Sequence, residues 1–167
     1  MCNNSIAFEF LEHGEKAPIG YKKITPHMVF DVKMDFTCKA RLVAGGHLTE
    51  VPTSLTYSSV VSRDSIRIMF LIAALSDLKT LSADIANAYL NAPDCEKVYA
   101  IAGKEFGSQV GQTIVIVRAL YSLKLAGAAW RAHLSGSLSS LGYKSCLADP
   151  DVWLREAIKE QQTLVKP

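Results

Sequence analysis

Ser62 is followed by RDSIRIMFLIAALSDL, a run that leaves the chain little choice of local structure. Ile66, Met69, Phe70 and Ala73 recur at helical spacing, and Asp64 falls in the first turn, near the positive end of a helix dipole. The spacing predicts a helix from about Arg63 to Asp77. Ile68, Leu71, Ile72 and Leu75 occupy its other faces, so it is expected to be a core helix, covered on more than one side. Such a helix needs layers of other structure around it. The chain has the means to build them: its 167 residues are 49% hydrophobic and 20% charged, enough for one domain with a real core.

The elements around this helix are short. Val29, Phe30 and Val32 before Asp35, and Ala40, Leu42 and Val43 after it, suggest a hairpin within 21–43, which Gly45 and Gly46 close. The polar stretch from Thr49 to Ser59, with Pro52, reads as a loop. Lys79 to Asp84 reads as a strand leading into a tight helical turn at 86–90, and two more strands are expected at 97–101 and 113–117. Ala126, Ala129, Trp130, His133, Leu134, Ser137, Leu138 and Leu141 form one stripe of a second helix over about 125–141, ended by Gly142. Trp130 is expected to pack in the core rather than stack a base. Strand-like pieces at 143–146 and 152–155 complete the pattern. With neither a strict βαβ repeat nor a glycine-rich phosphate loop, the pattern predicts an α+β fold, a sheet packed on one face by helices.

The net charge is only +2, yet no carboxylate occurs between Glu105 and Asp149, where Arg118, Lys124, Arg131 and Lys144 fall. This half of the chain is expected to present a field favourable to phosphates, or simply a solvated basic face. Cys2, Cys38, Cys95 and Cys146 form no CxxC pair and read as reduced thiols. The histidines show no metal-ligand spacing, which gives a structural zinc site little support. The first residues, MCNNSIAFEF, lack a signal-peptide pattern, and no apolar run approaches the length of a membrane span, so an intracellular protein without membrane contact is expected.

The segment LSADIANAYL sets an acid at the end of an apolar strand and an aromatic five residues later on a tight turn. On spacing alone Asp84 reads more readily as a helix cap or turn residue than as a metal ligand, and Tyr89 as a half-buried core aromatic. The segment does not stand alone. PIGYKKITPHMVFDVKMD, KARLVAGGHLTE, YSSVVSRDSIRIMFLIAAL, ADIANAYLNAP, EKVYAIAGKEFGS, VRALYSLKLAGAAW and LADPDVWLR occur in this order. Together they resemble the reverse transcriptases (RNA-directed DNA polymerases) of copia-type retrotransposons, over about Pro18 to Arg155. The resemblance divides the chain into an N-terminal extension (1–17), the polymerase portion (18–155) and a frayed tail (156–167) that includes KEQQTLVKP.

The resemblance implies a partial right-hand polymerase, with the hairpin near Lys39 as fingers and both long helices packed under a palm sheet. It implies template-directed DNA synthesis, in which a primer hydroxyl attacks the α-phosphate of a deoxynucleotide. Two magnesium ions about 3.5–4 Å apart stabilise the attacking and leaving oxygens. Asp84 would hold the metals with help from the Ile85 carbonyl, while the backbone N–H groups of Asn87 and Ala88 would meet the triphosphate. Tyr89 would lie under the sugar and exclude a ribose 2′ hydroxyl. Lys39 and Arg41, two apart on a strand and so on one face, would clamp phosphate oxygens; an exposed basic pair is the ordinary alternative. Partners so implied are an RNA or DNA template-primer, deoxynucleotides and the rest of a polyprotein. The implied location is the cytoplasm, a virus-like particle or the nucleus.

Two departures from the family pattern stand out. In ALYSLK the usual glycine after Tyr121 is Ser122, whose Cβ is expected to crowd the substrate or strain the turn. An aromatic-x-Asp-Asp motif, which the family places soon after DPDVWLR, is not found. The expectation is therefore a polymerase fragment inactive by itself. The alternative is a non-catalytic remnant that binds nucleic acid or a protein partner.

Overall fold

The computed structural model describes residues 7–46, 56 and 58–156. The loop expected at Thr49 to Ser59 lies largely outside the described residues, as do Cys2, His47 and the KEQQTLVKP tail. The chain separates into two compact units, one of residues Met1–Ser58 with Ala83–Leu134 and the other of Ser59–Ser82 with Ser135–Pro167.

In the first unit, β1 (Phe8–Phe10), β6 (Thr113–Ile116), β5 (Val98–Ile101) and β2 (Lys22–Lys23) form a four-stranded sheet in the order β1-β6-β5-β2. β1 runs antiparallel to β6 with Phe8 opposite Ile116, and β5 antiparallel to β6 with Tyr99 opposite Val115. β2 runs parallel to β5, a crossover that local sequence pattern does not reveal. The core is built on this sheet: Ile24, Val98, Ala100, Ile114 and Ile116 are buried with Leu120, Leu123, Ala126 and Ala129. Each fully buried Val, Leu or Ile side chain among these contributes about 1.5–3 kcal/mol. Phe8 and Phe10 each pack against the Phe106 ring in a near-perpendicular, edge-to-face arrangement at centroid distances of 5.4 and 5.8 Å. No strand was expected at β1, because three residues are too few for an alternating pattern to stand out.

The expected hairpin is present as β3 (His27–Val32) and β4 (Cys38–Val43), paired from His27 opposite Val43 to Val32 opposite Cys38. Its turn is closed by Lys33 N–H to the Thr37 carbonyl and by Thr37 N–H to Asp35 Oδ1, both 3.0 Å. The Thr37 N–H, helped by the Thr37 side chain, holds the Asp35 carboxyl below its ordinary pKa. Strands at 97–101 and 113–117 are confirmed within a residue as β5 and β6. Trp130, on α2 (Ala126–Ser140), packs against the core as expected.

In the second unit α1 spans Arg63–Leu75, with the Ser62 hydroxyl accepting from Ser65 N–H at its start. β7 (Lys144–Ser145) pairs antiparallel with β8 (Trp153–Leu154). α1 buries no residue, and Ile68, Met69, Phe70, Leu71, Ile72 and Leu75 are exposed, so it is not a core helix in this chain. Among the described residues every buried hydrophobic side chain lies in the first unit. Periodicity reports that a surface is apolar, not that the chain at hand covers it.

Residues 79–84, expected to be a strand, form none among the described residues, and Leu81 is almost fully exposed. Alternation cannot supply the neighbouring strand that a ladder needs.

Candidate functional site

Lys39 and Arg41 lie on β4 with side chains half-buried, while Cys38 and Ala40 between and beside them are exposed. The strand period of two gives the basic pair one face. The end of β4 is fixed to a distant segment: Ala44 N–H donates to the Tyr121 carbonyl at 2.9 Å, and Val43 bridges Tyr121 in parallel. Gly46 then passes directly against the backbone of Ser122.

Asp84 and Ile85 are exposed at the end of 78–85, a stretch without regular secondary structure. The chain turns at Asn87, whose φ of 50° lies in the left-handed region, and enters a 3-10 turn over Ala88–Asn91. Asparagine tolerates this conformation better than most residues. Asn91 secures the turn from within, its side-chain amide donating to the carbonyls of Ala86 at 3.3 Å and Asn87 at 3.2 Å.

These segments enclose one cavity of about 480 Å³, lined by Lys39, Arg41, Asp84, Ile85, Asn87, Ala88 and Tyr121 among the residues singled out in the sequence. Its charged lining is two cations and one carboxylate, an arrangement that attracts a polyanion. Its size is in the range of small-molecule sites, about 300–1,000 Å³.

Tyr89 and Ser122 do not line the cavity. Tyr89 is half-buried against the core, its ring 5.1 Å from that of Tyr121. Ser122 is exposed with φ 71°, so its Cβ bears on the turn itself. Ala7, Phe8, Ala40, Leu42, Ala86, Leu90 and Leu120 also line the cavity. Sequence reasoning missed them because apolar lining residues carry no chemical signature; only their membership in strands and turns could have found them.

A two-metal centre is not complete among the described residues. Asp84 is the sole carboxylate among the described residues lining the cavity, and no described group of three or more His, Cys, Asp or Glu is placed to hold an ion. Asp149, in the second unit, is engaged otherwise: its Oδ2 accepts from Ser65 Oγ at 2.6 Å and Ser62 N–H at 2.9 Å.

Residues 13–165 match the reverse transcriptase (RNA-dependent DNA polymerase) family, and the chain belongs to that family. Its relatives narrow the assignment to the reverse transcriptase segment of a copia-type retrotransposon polyprotein. The chain is 28% identical over 147 residues to the Retrovirus-related Pol polyprotein from transposon TNT 1-94 of Nicotiana tabacum, covering 83% of this chain and 11% of that protein. It is 29% identical over 120 residues to the Retrovirus-related Pol polyprotein from transposon RE1 of Arabidopsis thaliana, covering 70% of this chain and 8% of that one. The chain thus spans about a tenth of the length of these relatives. No solved structure matches. No described helix is long and apolar enough to cross a membrane.

Proposed function

We infer that the chain is a fingers-and-palm portion of an RNA-directed DNA polymerase and that its cavity takes the incoming deoxynucleoside triphosphate. The observation that carries this reading is the convergence of Lys39, Arg41, Asp84, Ile85, Asn87, Ala88 and Tyr121 on one cavity from segments far apart in sequence. Lys39 and Arg41 supply fixed positive charge for the triphosphate, and the guanidinium of Arg41 can engage two phosphate oxygens at once. The backbone at Asn87 and Ala88 sets the floor of the phosphate site. Tyr89, braced by Tyr121, acts on the sugar indirectly by fixing the turn that precedes it.

Magnesium, when bound, neutralises phosphate charge and polarises the reacting oxygens. Asp84 and the Ile85 carbonyl are the groups of this chain that would hold it. Asp84 is the one carboxylate among the described residues that line the cavity, so in this reading residues 1–167 bind nucleotide without extending a primer. Template-primer, deoxynucleotides and the other polyprotein domains are the partners in this reading, inside the cell or a virus-like particle.

Titration calorimetry of residues 1–167 with dATP tests it. Binding should weaken at least tenfold in Lys39→Ala and Arg41→Ala and become less salt-dependent. Absence of binding, or affinity indifferent to both substitutions, would refute the reading. Primer extension by residues 1–167 that depends on Asp84 would refute the claim of inactivity.

A further inference from the structure

The cavity has a wall outside the residues that match the family. Ala7 and Phe8 line it together with Lys39, Arg41 and Asp84, yet the family match begins at residue 13. This wall is held firmly. Val117 N–H donates to the Ala7 carbonyl at 3.1 Å, and Leu11 N–H to the Thr113 carbonyl at 2.9 Å, so β1 is fastened at both ends. Between these bonds Phe8 and Phe10 meet the Phe106 ring edge-on. Glu9, between them, is exposed and does not reach the cavity.

The lining also divides by chemistry. Charge comes from Lys39, Arg41 and Asp84, whereas Ala7, Phe8, Leu42, Leu90 and Leu120 are apolar. A nucleoside triphosphate has the same division, a polyanionic chain joined to a base and sugar that gain from apolar surroundings. We propose that Ala7 and Phe8 of the N-terminal strand form the wall that accepts the nucleoside part of the ligand, and that the small side chain at position 7 determines whether a nucleoside fits. This rests on reading the cavity as a nucleotide site.

Ala7 is the residue to change, because it is half-buried and lies outside both the Phe8–Phe10 ladder with β6 and the ring contacts to Phe106 that fasten β1. A longer side chain at 7 takes up cavity volume, which under this proposal costs the nucleoside and spares the phosphate contacts of Lys39 and Arg41. Calorimetry on residues 1–167 with two probes, dATP and inorganic tripolyphosphate, separates the possibilities. Ala7→Leu should lose at least tenfold in dATP affinity, Ala7→Val less, with tripolyphosphate affinity unchanged in both. Glu9→Gln, on the same strand, should alter neither. Melting temperatures of all variants establish that each is folded.

Unchanged dATP affinity in folded Ala7→Leu and Ala7→Val overturns the proposal and leaves the nucleotide reading standing. An equal loss of both probes in a folded variant also overturns it, since the wall would then serve phosphate. If the unsubstituted chain binds tripolyphosphate and dATP with the same affinity, there is no nucleoside subsite and the proposal fails alone. If it binds neither, the nucleotide reading fails and the proposal falls with it.

Discussion

A Cβ placed on Gly46 would stand 1.8 Å from the carbonyl oxygen of Ser122. Both partners are backbone, so neither can swing aside as a flexible side chain does. This close approach comes just after the bonds that tie β4 to Tyr121, and so joins the segment carrying Lys39 and Arg41 to the segment carrying Tyr121.

Gly46→Ala should therefore cost at least about 1–3 kcal/mol of stability, the usual range for overpacking. It should also separate the two segments and weaken dATP binding. Chemical denaturation and calorimetry measure the two effects; a stable Gly46→Ala chain with normal affinity would show that the contact is not needed.

Ser122 holds a left-handed backbone conformation, with φ at 71°. A left-handed conformation costs an ordinary residue about 1–2 kcal/mol, while glycine loses about 0.4–1 kcal/mol through the freer unfolded chain. With φ at 71° the first effect exceeds the second, and Ser122→Gly should stabilise the protein by up to about 1 kcal/mol. A fall in denaturation midpoint would contradict this.

The two units should respond differently to loss of apolar side chains. Ile114 is 0% exposed, whereas Phe70 and Leu71 are each 59% exposed. Ile114→Ala should cost about 2–5 kcal/mol. Phe70→Gln and Leu71→Gln should each change stability by no more than about 0.5 kcal/mol and make the chain less prone to associate. A large destabilisation from Phe70→Gln would mean that α1 is covered in solution.

That contrast shows where the sequence was informative. The hairpin at Asp35 and the helix after Ser62 were legible because each depends on short-range periodicity and local caps. So was the gathering of Lys39, Arg41 and Asp84, though only through resemblance: nothing in their spacing brings positions forty residues apart together. Burial of α1 and pairing of 79–84 were misread, since both depend on neighbours that periodicity cannot name. β1 and the parallel placement of β2 were missed because elements of two or three residues owe their existence to the sheet they join. The cavity wall at Ala7 and Phe8 was invisible for that same reason.

Asp94 should make stability fall with rising pH. Its Oδ1 accepts from Glu96 N–H at 3.0 Å, but Oδ2 is buried with no partner among the described residues. Burial raises its pKa from 3.8 to about 7, with the nearby Glu96 carboxylate adding to the effect. The folded state therefore holds the proton more tightly than the unfolded one. The stabilising contribution is whole below pH 3.8, declines above it, and is gone once pH passes about 7. Asp94→Asn should remove this decline and stabilise the chain at pH 8 by roughly 1–2 kcal/mol, after discounting for partial solvent screening. Denaturation of both proteins at pH 5 and pH 8 checks it; parallel changes would exclude Asp94 as the source.

Asp149 should act in the opposite direction and at lower pH. The Ser65 hydroxyl and the Ser62 N–H donate to its Oδ2, and the Asp151 N–H to its Oδ1 at 3.2 Å. With the Ser65 bond foremost, these donors lower its pKa from 3.8 to about 2. Its contribution is then whole above pH 3.8 and is lost as pH falls through about 2. Asp149→Asn should melt lower than the unsubstituted chain at pH 6, with the gap narrowing between pH 4 and pH 2. A gap that persists at pH 2 would mean that the charge is irrelevant. Because both oxygens already serve the start of α1 and their own turn, Asp149 is a structural carboxylate, and adding magnesium at pH 6 should leave the gap unchanged.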